Sequence, residues 1–313
     1  MSDVVFDKIA IIGIGLLGSS IAHAAHAYGG AEHVALWDVS EDVRTRAPRV
    51  IHGAVCDTAE QAVAEADCVI LCTPVGVLAE VTQALSGAMK PGAILTDVGS
   101  VKAKAADDMA AHCPDGIHLI PGHPIAGTEK SGPEAGFASL FQDAWHILTP
   151  LSDQGPGYAD AVARLTAFWK GLGARVETMD PARHDRVLAI TSHLPHLIAY
   201  NIVSTAYDME SVEQGEVVKY SAGGFRDFTR IAASDPTMWR DVFLTNKDAV
   251  LETLGRFSED LAALQRAIRW GDGDMLMREF ARARGIREAI IDAGLDTAEA
   301  DFGRRHLDPD TDT

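Results

Sequence analysis

The sequence predicts an α/β protein with a mostly parallel sheet domain over residues 1–180. An all-helical carboxyl-terminal domain is expected over 181–295, and an acidic, frayed tail over 296–313. Three observations carry this reading. The first half alternates short β-branched runs with helix-length stretches, as strands joined by helical crossovers do. A glycine turn, Gly13-Ile14-Gly15-Leu16-Leu17-Gly18, stands between the first strand and the first helix. At Asp180-Pro181 the alternation stops: an acidic N-cap followed by proline at the first helical position is a strong helix start.

In chain order, residues 8–12 read as a buried strand, 16–28 as a helix and 33–38 as the second strand. Further strands are expected at 67–72, 93–97, 117–120, 145–148 and 175–178. A second Asp-Pro pair, Asp235-Pro236, opens one long helical stretch ending near Gly271. Within it Phe243, Val250, Leu254, Phe257, Leu261, Leu264 and Ile268 recur at steps of seven, four and three, with Lys247 interrupting the seam. The stripe fits an amphipathic helix on its own core, or a coiled-coil-like helix that forms a homodimer. Its length favours the dimer, because such a helix outgrows a small domain.

Composition narrows the function. With 47% hydrophobic and 23% charged residues the chain is ordinary globular protein, and 313 residues can bury two cores. A net charge of −18 argues against nucleic acid and anionic membranes as partners. It also means that an anionic cofactor or substrate has to be held by local donors. No apolar run reaches the roughly 18 residues of a membrane span. The first eight residues lack a basic region followed by an apolar stretch, so a cytoplasmic location is expected. Cys56, Cys68, Cys72 and Cys113 show neither disulfide-framework spacing nor a Cys-x-x-Cys pair, and read as reduced and mostly buried.

The glycine turn has the spacing Gly-x-Gly-x-x-Gly directly after a strand and before a helix, the fingerprint of a Rossmann-type dinucleotide site. Gly13 permits the tight turn, Gly15 lets the backbone approach a pyrophosphate, and Gly18 lets helix and strand pack closely. The helix N-terminus supplies amides and positive dipole to the anion. Asp38 ends the second strand, 20 positions past Gly18. A carboxylate there accepts from both ribose hydroxyls and repels a 2′-phosphate, which selects NAD over NADP. Arg44 and Arg46 lie just downstream and soften that preference. Thr73 and Pro74 follow the strand at 67–72, where ligands collect in a doubly wound sheet, although a plain loop accounts for them nearly as well.

The next strand ends carry polar groups that packing does not require. Residues 93–97 run into Val98-Gly99-Ser100-Val101-Lys102, and the following strand ends in Pro121-Gly122-His123-Pro124-Ile125-Ala126-Gly127. A histidine locked in a Gly/Pro loop beside a nicotinamide suits a general base, because it titrates near neutrality. His193 and His196 share a helical face, with Pro195 between them. Their spacing also suits metal ligands, but two without a third make a metal site a poor reading, and none is expected.

These motifs together resemble the prephenate/arogenate (cyclohexadienyl) dehydrogenase family of tyrosine biosynthesis. The resemblance rests on Asp97-Val98-Gly99-Ser100-Val101-Lys102, Gly122-His123-Pro124-Ile125-Ala126-Gly127, Ser192-His193-Leu194-Pro195-His196 and the run from Gly223 to Ala232, in order across roughly residues 8–290. It implies an NAD-dependent oxidative decarboxylation. His123 and Ser100 would then be the catalytic pair, and Arg230 the grip on a substrate carboxylate. His193, His196 and Trp239 would shape the pocket, and Gly223 would reach the site from the other subunit of a homodimer. Two rivals stand beside it. A β-hydroxyacid-type NAD dehydrogenase would use a catalytic lysine such as Lys219, and a non-catalytic NAD sensor would use the glycine turn alone.

Overall fold

The computed structural model describes residues 4–128, 130–152, 155–210 and 223–292; Lys219 and the tail at 296–313 lie outside the described residues. Six strands form the main sheet: β1 Phe6–Ile12, β2 Ala31–Trp37, β3 Ala54–Val55, β4 Cys68–Leu71, β5 Ile94–Asp97 and β6 His118–Leu119. They run in the order β3-β2-β1-β4-β5-β6, with every pairing parallel. Strand order reverses between β1 and β4, so a crevice opens at their carboxyl ends. Helices α1 Leu16–Tyr28, α2 Glu41–Arg46, α3 Ala59–Val63, α4 Leu78–Leu85 and α5 Ala103–Ala110 connect the strands.

Central strands buried on both faces have to be apolar, and β4 and the Ile9–Ile12 half of β1 are. Ile9 and Ile11 point into one core with Ile21 of α1. Phe168 and Trp169 of α6, Tyr158–Gly171, complete that core. Ala10 and Ile12 point the other way, into a second core with Leu78 and Leu85 of α4 and Ala105 and Met109 of α5.

The strands at 145–148 and 175–178 do not extend this sheet. A separate three-stranded sheet joins β7 Gly122–Pro124, β8 Trp145–Leu148 and β9 Arg175–Thr178, with β7 antiparallel and β9 parallel to β8. Pro121 explains the break. With no N–H it cannot continue the ladder of β6, and its carbonyl instead accepts from Thr149 N at 2.8 Å in the second sheet. His123 therefore sits on a strand, not in the loop the sequence suggested.

Helices follow. Asp180 caps α7, Pro181–Leu188, by accepting from Arg183 N, and Asp235 caps α10, Pro236–Thr245, by accepting from Met238 N. Between them lie a widened π-helical turn at Ala189–His193, α8 Leu194–Glu210 and α9 Gly223–Thr229. Pro195 lacks the N–H that would close a regular turn there. The single helix expected from 236 to 271 is broken. Asn246, at φ −99° and ψ 33°, ends α10, and α11 runs over Lys247–Trp270, followed by α12 Gly273–Asp292. Strand formation ends near residue 180, but compact packing continues: one unit spans Met1–Thr253 and a second Leu254–Thr313. The helical stretch Pro181–Met209 is long and apolar enough to cross a membrane by length and mean composition alone, although it is not an unbroken apolar run. Its buried His184, Asp185 and His193 belong to a hydrogen-bonded core instead.

Candidate active site

At the glycine turn, two glycines are demanded by the fold. Gly13 has φ +102°, and a Cβ there would stand 2.6 Å from the Cys72 carbonyl oxygen; one on Gly18 would stand 2.0 Å from that of Gly13. Gly15 differs, because a Cβ there meets nothing within 4 Å. The turn thus leaves open space beside its middle glycine. The first turn of α1 has no side-chain cap, so its amides are available to an anion.

Asp38 Oδ2 accepts from Ile14 N at 2.7 Å and Oδ1 from Ser40 N at 2.9 Å, which pins the turn to the end of β2. Arg44 donates to the carbonyls of Asp38 and Val39 and lies 5.8 Å over the Trp37 ring. Arg46 pairs with Asp42 and Glu134. Both arginines thus have partners already. A cavity of about 400 Å³ opens here, lined by Trp37, Arg44, Asp57, Glu60, Glu80 and Val81 among others. Thr73 Oγ1 is buried with no hydrogen-bond partner at the end of β4, and Pro74 is exposed.

The second half of the site is built around a buried ion pair. Lys102, fully buried, bonds Asp97 and also donates to the Gly122 carbonyl at 2.7 Å. Gly122 N and Gly99 N donate back to Asp97. Together these bonds tie the end of β5 to β7 and fix His123 beside the segment that carries Ser100. Removing one partner would leave an uncompensated buried charge, at a cost of about 3–5 kcal/mol.

The His123 ring is nearly fully buried. Its Nδ1 lies 2.9 Å from His184 Nε2, and His184 Nδ1 lies 2.8 Å from Asp185 Oδ1. Lys102 N and Ala103 N donate to the same carboxylate, at 2.7 and 2.9 Å. Burial, then the neighbouring His184 and Lys102, hold the His123 imidazole well below its ordinary value. It is a neutral base at neutral pH.

His193, His196 and Trp239 come together as one wall. His196 stacks on the Trp239 ring at 3.7 Å, and His193 meets it edge-on at 6.0 Å. Trp239 packs with Val101, the residue after Ser100, and with Val242. The Ser100 main chain also approaches the His193 ring, whose pKa burial pushes down to about 4. His196 Nδ1 donates to Ser192 O at 2.9 Å. Burial, and further off the Arg230 guanidinium, lower the His196 pKa, which puts the Arg230 charge beside this wall. No bond among the described residues joins Ser100 Oγ to His123. Gly223 opens α9 in open space.

Sequence reasoning missed His184, Asp185, Asn246 and the Asp97–Lys102 pair. A signal existed for three of them. His184 and Asp185 sit in the first turns after Asp180-Pro181, on the face where Leu188 is buried, and unpaired polar groups do not occupy such a face. Asn246 stood beside Lys247, where the apolar stripe faltered.

Two family models match the chain: "prephenate dehydrogenase, nucleotide-binding domain" over residues 21–178 and "prephenate dehydrogenase, dimerization domain" over 180–282. The cyclohexadienyl dehydrogenase of Zymomonas mobilis is 44% identical, over 91% of this chain and 97% of its own. The crystal structure of prephenate dehydrogenase from Aquifex aeolicus, in complex with hydroxyphenyl propionate and NAD+, has a TM-score of 0.81 at 33% identity, covering 91% of this chain and 98% of its own. The Synechocystis arogenate dehydrogenase structure has a TM-score of 0.74 at 25% identity, covering 90% and 99%. A parallel Rossmann-type sheet domain followed by helices agrees with those matches over nearly the whole length: the chain belongs to the prephenate dehydrogenase family of oxidoreductases.

Proposed function

We propose that this protein is an NAD-dependent cyclohexadienyl dehydrogenase that oxidises and decarboxylates prephenate, arogenate or both, to 4-hydroxyphenylpyruvate or tyrosine. The observation that carries the reading is the neutral, buried His123 on the strand beside the Ser100 segment, in a chain whose first strand leads into a dinucleotide turn. Gly13, Ile14, Gly15, Leu16, Leu17 and Gly18 would hold the pyrophosphate, Asp38 the ribose, and Thr73 and Pro74 the nicotinamide side. Bound NAD supplies the hydride acceptor. The carboxylates of Asp57, Glu60 and Glu80 around the neighbouring cavity, together with Asp38, disfavour a 2′-phosphate.

The residues divide the rest of the work. His123 accepts the proton of the ring hydroxyl as the C4–H bond breaks, and Ser100 bridges that hydroxyl. The ring carboxylate then leaves as carbon dioxide, and its bonding pair restores the aromatic ring. The proton on His123 returns to the phenolic oxygen, so the base ends the turnover as it began. Arg230 binds a substrate carboxylate, where a planar guanidinium keeps its charge when desolvated. It also supplies the local cation that a chain of net charge −18 needs for a dianionic substrate. His193, His196 and Trp239 shape the side-chain pocket. A homodimer would form through the carboxyl-terminal helices and bring Gly223 of one subunit to the site of the other. The described residues of those helices expose Leu261, Ile268 and Phe280. Four free cysteines are in keeping with a reducing, cytoplasmic setting.

A β-hydroxyacid-type enzyme or a cofactor sensor would need none of the His123, Ser100 and Arg230 set. Mixing the protein with NAD and either prephenate or arogenate tests the proposal. Reduced cofactor and the matching aromatic product should appear, and no turnover with either acid from mildly acidic to mildly alkaline pH would overturn it.

A further inference from the structure

The hydrogen-bond chain behind the site holds enough fixed donors and acceptors to determine where its protons lie. An ionised carboxylate can only accept. Asp185 takes the amides of Lys102 and Ala103 and also the ring of His184, so His184 Nδ1 carries the hydrogen. Burial keeps His184 below its ordinary value, so the ring is neutral and its Nε2 has a lone pair. His123 Nδ1, at 2.9 Å, therefore donates to it. The only lone pair left on the His123 ring is at Nε2.

Asn246 settles the other branch. Its Nδ2 lies 2.9 Å from the Asp185 carbonyl oxygen, which accepts and never donates, so the amide is held with its nitrogen on that side. The same nitrogen lies 3.1 Å from His193 Nδ1, and its second hydrogen points there. His193, neutral with a pKa near 4, accepts at Nδ1 and carries its hydrogen on Nε2. Among the described residues that buried Nε2 makes no hydrogen bond of normal geometry, although the Ser100 main chain approaches the ring. A buried donor without an acceptor is costly unless a ligand supplies one.

We infer that His184, Asp185 and Asn246 are positioning residues that set opposite tautomers on the two site histidines, leaving His123 Nε2 as a proton acceptor and His193 Nε2 as a hydrogen-bond donor to a substrate oxygen. Asn246, at the break between α10 and α11, brings its amide between Asp185 and His193. The inference rests on His123 being the base and His193 lining the pocket.

Imidazole nitrogen NMR on the full-length protein, labelled with nitrogen-15 histidine and free of substrate, reads the tautomers directly. Loss of signals in His123→Asn and His193→Asn assigns them. His123 should show a protonated Nδ1 and an unprotonated Nε2, and His193 the reverse. Either pattern inverted overturns the inference, even in an enzyme that turns over normally. Failure of the proposed activity would leave the NMR result standing. Kinetics give a second arm. His184→Phe should lower kcat on the order of 10- to 100-fold at unchanged KM for NAD. His184→Gln, whose side-chain oxygen still accepts from Nδ1, should stay within about threefold of the native enzyme. Equal losses in the two variants, or none in either, would show that acceptance at this position does not matter. Asn246→Leu should raise the substrate KM about tenfold and let the His193 tautomers mix; an unchanged KM with an unchanged tautomer would count against the role of Asn246.

Discussion

At the glycine turn, contacts run between adjacent strands and the helix that follows: Ile14 N to Asp38, Gly13 against Cys72, Gly18 against the Gly13 carbonyl. At His123 they run between segments far apart in the chain, with Asp97 and Lys102 from one side, His184 and Asp185 from another, and Asn246 from a third. The first region is a backbone cradle with open space at Gly15. The second is a closed, buried network of side chains. Cofactor binding thus rests on local geometry that tolerates change nearby, whereas the base rests on long-range packing that does not.

Removing the base itself should separate the two regions most sharply. His123→Asn is expected to lower kcat by about 10²- to 10⁴-fold while leaving the KM for NAD unchanged, read by steady-state kinetics with each substrate varied in turn. Arg230→Ala should act on substrate alone, raising its KM roughly 10- to 100-fold through loss of a charge-assisted bond. A matched loss of NAD affinity would mean that Arg230 does not belong to the substrate side.

Within the cradle, two glycines should fail in different ways. Gly18→Ala forces a Cβ to within 2.0 Å of a carbonyl oxygen and should destabilise the fold by about 3 kcal/mol, visible as a drop in Tm. Gly15→Ala meets only open space, so its Tm should stay put while its KM for NAD rises about tenfold. Equal effects on stability would erase the distinction between structural and cofactor glycines.

Stability should also fall in acid as the buried histidines of the base region become charged on unfolding. His123, His146, His184 and His193 are all held below 6.5 by burial. Unfolding exposes them, and the unfolded chain then binds more protons. Stability is therefore full above about 6.5 and declines as pH drops below it, by at most about 1.4 kcal/mol per pH unit for each histidine. Thermal melts between neutral and mildly acidic pH check this.

The cofactor region was legible in the sequence because its physics is local. Strand, Gly-x-Gly-x-x-Gly, helix and an acid ending the next strand all lie within 38 residues. The wall of His193, His196 and Trp239 was legible only through a family resemblance. The network behind His123 was legible only as polar positions on a buried helix face, because nothing local marks their partners. His184 shows no partner until the fold carries it 2.9 Å from a ring 61 positions away. Pro121 and Asn246 misled in the same way. Each breaks a regular element for the benefit of a distant contact, so the second sheet and the split helix went unforeseen.

The pH dependence of kcat/KM for the native enzyme tests the central claim most directly. A buried neutral base at His123 predicts a rate that stays level as pH falls through 6.5 and declines only below it, with the acid limb absent from the residual activity of His123→Asn. An acid limb centred at or above 6.5, or one that survives unshifted in that variant, would contradict it.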